Sequence, residues 1–173
     1  MWTYEKKLQF PVKIKNPNPK LAQVIISQLG GPDGELGASM RYLHQRYSCP
    51  YDKVTGILTD VGTEELAHLE MVAAIIHQLT RDLKPEQIAG TPFAAYFVDH
   101  TAGVYPVSAA GVPFDMKYVG VKGDLLADLN EDLAADAAIT QMQPVSKNCR
   151  KALKHKDFSH FGKTLKICLP AII

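Results

Sequence analysis

Between Leu58 and Leu79 the chain places Leu58, Val61, Glu65, His68, Val72, Ile75 and Leu79 at alternating steps of three and four. That spacing is the period of one face of an α-helix, so a helix is predicted over about 51–83. Its central two stripe positions are a glutamate and a histidine. A helix that buries this face buries a carboxylate and an imidazole with it, which is costly unless they are paired or coordinated. Glu64 and Glu70 fall off the stripe and are expected in solvent.

The rest of the chain supplies partners for this helix. Asn18 followed by Pro19 reads as a helix start, and Leu21, Val24, Ile25 and Gln28 then share one face. Pro32, within "GGPDGELG", is expected to kink this helix or to begin a new segment. Steps of seven from Leu21 reach Gln28, Glu35 and Tyr42, so a second carboxylate lies on an apolar stripe. A further helix is predicted from about Asp124 to Met142, with the stripe Leu126, Leu129, Leu133, Asp136 and Thr140, and Pro144 is expected to end it. A weaker helical stretch follows in "NCRKALKHKDFSHFGKTLKI". Residues 1–17 read as an extended arm, and 84–122 as a long irregular crossover rich in Gly, Pro and aromatics. The expected architecture is an all-α four-helix bundle forming a single domain over 1–173, with an atypical, shortened C-terminal helix pair.

Charge narrows the function classes. The net charge of +1 argues against nucleic acid or an anionic membrane surface as the main partner. Its distribution is uneven: 12 Lys and Arg face 17 Asp and Glu up to residue 139, and 7 face 1 in the basic tail at 140–173. No apolar run is long enough to span a bilayer, and "MWTYEKKLQF" lacks the apolar region of a signal peptide, so a cytoplasmic location is expected. Cys49, Cys149 and Cys168 are far apart and form no C-x-x-C pair, which suggests neither a disulfide frame nor a thiolate zinc site.

Glu65 and His68, at i and i+3, project from the same helix face and can bind one metal ion or contribute to two. Glu35 and Asp136 add carboxylates from other stripes. Bundles that point single glutamates and Glu-x-x-His pairs inward hold carboxylate-bridged dimetal centres, and carboxylate with imidazole suits manganese or iron. The competing reading is a bundle core with one ion pair and one satisfied histidine.

The segments "LGGPDGELGASMRYL", "DVGTEELAHLEM" and "GDLLADLNEDLAAD" together resemble the manganese catalases, and most of all their spore-coat relatives of the CotJC type. The resemblance covers about residues 4–136. It implies a ferritin-like four-helix bundle, two manganese ions, hydrogen peroxide as substrate, and a homo-oligomer that associates with other spore-coat proteins. By position it implies Glu35 as a terminal metal ligand, Glu65 as the bridging carboxylate, His68 as the histidine ligand, and Tyr42 as a tyrosine lying close behind the ligands. Where the family has a fourth carboxylate, a glutamate, this chain has Asp136, which is shorter by one methylene. Asp157 and His160 keep the i, i+3 spacing of a second Glu-x-x-His pair, and His160 reads either as its ligand or as a surface histidine in the basic tail. Besides peroxide disproportionation, two further readings stay open: a coat or assembly protein that keeps the bundle but not the chemistry, and a di-iron oxidase.

Overall fold

The computed structural model describes residues 3, 5, 7–31, 33–88, 112 and 114–141, with the side chains at 24, 85, 88 and 136–141 outside the description. Its axis is the helix predicted from the long stripe. That helix is the third in the chain. Helix α1 spans Pro19–Gly30, α2 Glu35–Gln45, α3 Asp52–Thr80, the single-turn α4 Pro85–Ile88, and α5 Leu125–Gln141. A 3-10 turn at Met116–Tyr118 precedes α5. Among the described residues there is no β-strand. At a rise of about 1.5 Å per residue, α3 is roughly 43 Å long, and every residue of its predicted stripe is buried.

The first predicted helix is two helices. Asn18 caps α1, its side chain accepting from the backbone N–H of Leu21. The chain then breaks after Gly30 and restarts at Glu35. Glycine is needed on both sides of the break, because a Cβ on Gly31 would lie 2.5 Å from Ser27 O and one on Gly34 2.7 Å from the same oxygen.

This break divides the core. Helix α1 packs on the C-terminal half of α3, where Ala22, Ile25, Ile26 and Leu29 meet Met71, Val72, Ile75, Ile76 and Leu79. Helix α2 packs on the N-terminal half, where Ala38 and Tyr42 join Val54, Leu58, Val61 and Leu129 of α5. Each fully buried aliphatic side chain contributes about 1.5–3 kcal/mol to this packing. Between the two clusters, along α3, lie Glu65 and His68. Gly62 lets α2 approach closely, and its carbonyl accepts a 2.8 Å hydrogen bond from Ser39 Oγ across the helix pair.

The N-terminal segment runs extended along α3. Gln78 holds it on both sides of its backbone, accepting from Ile14 N at 2.7 Å and donating to Val12 O at 2.9 Å. Val12 is buried against α1 and α3. Asn18 N donates to Leu79 O, and Arg81 donates to Lys15 O.

Helix α5 is rotated from the predicted stripe. Leu126 is 60% exposed, whereas Asp128, Leu129, Asp132 and Ala135 are buried. The reason is polar pairing. Gln45 Nε2 donates to Asp132 Oδ1 at 3.0 Å and to Gly120 O at 3.1 Å. Asp128 Oδ1 accepts from Lys122 N at 2.7 Å. Buried Arg41 binds Tyr118 O and pairs with Asp33 and Glu131. The return of the crossover is thereby fastened between α2 and α5.

Candidate metal centre

Three side chains from two helices converge at the division of the core. Glu35 is the first residue of α2, where the positive end of the helix dipole favours a carboxylate. Glu65 and His68 lie in the middle of α3, one turn apart. Their exposures are 5%, 2% and 9%. One ligating atom of each lies within 4.8 Å of the others. His68 Nδ1 is 2.8 Å from Glu65 Oε2 and 3.7 Å from Glu35 Oε2. The other ring nitrogen faces outward, toward Glu64.

The electrostatics are those of a site short of a cation. Two carboxylates face one imidazole. Burial, aided by a hydrogen bond and repulsion from Glu35, pushes the Glu65 carboxyl well above the ordinary carboxylate range, against the opposing pull of His68. Burial disfavours the charge on His68, but its hydrogen bonds to Glu35 and Glu65 and their negative charges outweigh this and push it up to about 10. A divalent cation would displace these protons and compensate both acids. The donor set, two carboxylate oxygens and one imidazole nitrogen with no thiolate, fits manganese or iron and disfavours softer ions.

Of the other sequence-predicted residues, Tyr42 alone has a described side chain. Tyr42, two turns beyond Glu35 in α2, is buried with Ala38, Val61 and Leu129. Asp136 lies in α5, one turn beyond Asp132, and its side chain is outside the description. His160 and the rest of the predicted C-terminal helix pair lie outside the described residues. Sequence reasoning missed Arg41, Gln45, Asp128 and Asp132. The signal was present: Asp128, Asp132 and Asp136 recur every four residues, as do Arg41 and Gln45. Polar residues repeated at i, i+4 share one helix face, so each series marks a face that needs polar partners if it is buried.

Comparison with known proteins identifies the family. The profile of the family described as manganese containing catalase matches residues 1–145. Protein CotJC of Bacillus subtilis is 54% identical over 136 residues, covering 79% of this chain and 71% of that protein. A probable manganese catalase of Clostridium acetobutylicum is 34% identical over 138 residues, covering 79% of this chain and 61% of its own length. A manganese catalase of Bacillus subtilis is 33% identical over 150 residues, and here the match covers only 55% of the relative. The crystal structure of KatB, a manganese catalase from Anabaena, superposes with a TM-score of 0.82 at 27% identity, covering 99% of this chain and 81% of that one. The fold is therefore the ferritin-like helical bundle of these proteins. The chain belongs to the manganese-containing catalase family.

Proposed function

We propose that this chain is a dimanganese catalase-like protein of the CotJC type, which disproportionates hydrogen peroxide to water and oxygen as a component of the spore coat. The observation that carries the proposal is the buried Glu35–Glu65–His68 cluster, whose two acids and single base leave a charge deficit that a metal ion would fill. Glu35 would bind one ion terminally, Glu65 would bridge, and His68 would ligate through Nδ1. Asp136 and His160 would complete the second half of the centre. When bound, the ions supply a redox pair that takes two electrons from one peroxide and returns them to another. The protein supplies the rest. The aliphatic clusters on either side keep bulk water from the site. Burial raises the proton affinity of Glu65 in the metal-free chain, so metal binding would have to displace that proton. Tyr42, held in its buried place by Leu58 and Leu129, would support the ligands from behind.

The test is elemental analysis of protein produced with added manganese, followed by an oxygen electrode. About two manganese per chain, as a carboxylate dimetal bundle holds, with peroxide-dependent oxygen release that a chelator abolishes, is the expected result. A fully loaded sample without oxygen release would overturn the catalytic reading. Iron in place of manganese, with iron-dependent oxygen uptake, would instead identify a di-iron oxidase.

One observation favours a second reading, that of an assembly protein. Tyr47, Tyr51, Met116, Tyr118, Val121 and Leu126 are exposed apolar side chains, and such surface favours association with further copies or with other coat proteins. Assembly that survives Glu65→Ala while metal is lost would support this role; assembly that fails with the metal would count against it.

A further inference from the structure

His68 is flanked by carboxylates on both edges of its ring. On the inner edge Nδ1 meets Glu65 and Glu35. On the outer edge Nε2 lies 4.0 Å from Glu64 Oε1. Helical spacing makes this possible, because Glu64 stands four residues before His68 and Glu65 three. The Glu64 side chain is 43% exposed and lies outside the buried cluster. Its Oε1 also accepts from Gln9 Nε2 at 3.4 Å. Gln9 belongs to the extended N-terminal segment that Gln78, Leu79 and Arg81 fasten to the same helix.

A neutral imidazole offers a lone pair on one nitrogen and a hydrogen on the other. When Nδ1 gives its lone pair to an ion, the ring proton sits on Nε2, and the acceptor it finds there fixes both the tautomer and the ring orientation. The geometry points to Glu64 as the positioning residue that accepts the Nε2 proton of His68, steadied by Gln9, and so holds the Nδ1 lone pair on the metal side. This inference rests on the metal-binding reading above. The present separation exceeds a hydrogen bond, and a rotamer adjustment of the half-exposed Glu64 would have to close it once the ring proton points outward. The N-terminal segment then has a part in the centre although it contributes no ligand.

The experiment measures manganese affinity of the full chain by competition with a colorimetric chelator, together with the melting temperature of the metal-free protein. The variants are Glu64→Ala, Glu64→Gln, Gln9→Ala and Asp60→Ala, the last removing an exposed charge one turn earlier on α3. Glu64→Ala is expected to weaken manganese binding about 10-fold or more while the metal-free melting temperature stays unchanged. Glu64→Gln, which keeps an acceptor oxygen, is expected to recover most of that loss. Gln9→Ala should give a smaller loss, and Asp60→Ala a change under about 2-fold, as befits a screened surface charge. Unchanged affinity in Glu64→Ala, or equal losses in Glu64→Ala and Asp60→Ala, would overturn the inference while leaving the metal centre intact. An unmodified chain that binds no manganese would overturn both.

Discussion

Glu65→Gln should make the metal-free protein more stable. At neutral pH the cluster holds more acid than base, all of it buried. The amide has the same shape as the carboxylate and can still bond the ring of His68, but it carries no charge to desolvate. Breaking a buried ion pair is usually destabilising, but here Glu35 remains to pair with His68, so the substitution removes the acid in excess. The gain is on the order of 1–4 kcal/mol, the range seen when whole buried ion pairs are replaced by neutral side chains of similar volume. The lower end, about 1–2 kcal/mol, applies here because raised proton affinity already relieves part of the cost. For a chain of this size that is a rise in melting temperature of roughly 2–8 °C. The pH dependence follows from the direction of the shift. Glu65 has a folded-state pKa above its ordinary value of 4.5, so its contribution is fully present below 4.5 and is lost as pH rises. His68, raised from 6.5 to about 10, loses its contribution between those values. Both run the same way. The metal-free wild type should therefore melt lower at pH 9 than at pH 6, and the advantage of Glu65→Gln should widen over that interval. Circular-dichroism melts after chelator treatment, with and without added manganese, measure this. Wild type should regain about 2.7 kcal/mol at a manganese concentration 100 times its Kd, and Glu65→Gln should regain much less. A metal-free Glu65→Gln protein that melts below wild type at both pH values would show that the carboxylate is a net stabilising partner of His68, and would refute the charge-deficit argument.

Manganese binding at pH 7 should release about one proton or more, since the His68 imidazolium must lose its proton to ligate; calorimetric titration in buffers of different ionisation enthalpy reads the number, and zero release would contradict the assignment of His68. Gly62→Ala places a Cβ 2.8 Å from Leu43 Cγ and 3.1 Å from Tyr42 Cβ, so overpacking of about 1–3 kcal/mol should exceed the helix-propensity gain of about 1 kcal/mol; urea unfolding would show the net loss. Gln45→Leu removes the donor shared by Asp132 and Gly120 and should cost about 2–3 kcal/mol, with earlier proteolysis between residues 118 and 122 than in wild type as the companion readout.

Periodicity alone determined the main helix. Leu58 to Leu79 could bury one continuous face only as a helix, and Glu65 and His68 were visible as ligand candidates because polar groups on such a face need partners. Asn18 and Pro19 marked the start of α1 through local capping chemistry, which needs no tertiary context. What the sequence left open was set by contacts between distant segments. The break between α1 and α2 is the exception, a local one: Gly31 and Gly34 pack against Ser27 O a few residues earlier, within the Gly- and Pro-rich stretch where the sequence already marks a kink or a new segment. That break splits the core in two and aims Glu35 at the gap between the clusters. The rotation of α5 could not be read from its own leucines, because its buried face is fixed by Gln45, 87 residues away from Asp132 in sequence. Local patterns record which groups a segment would bury. Only the folded chain decides which polar groups find partners, and in this protein that pairing orients α5 and gathers the three candidate ligands.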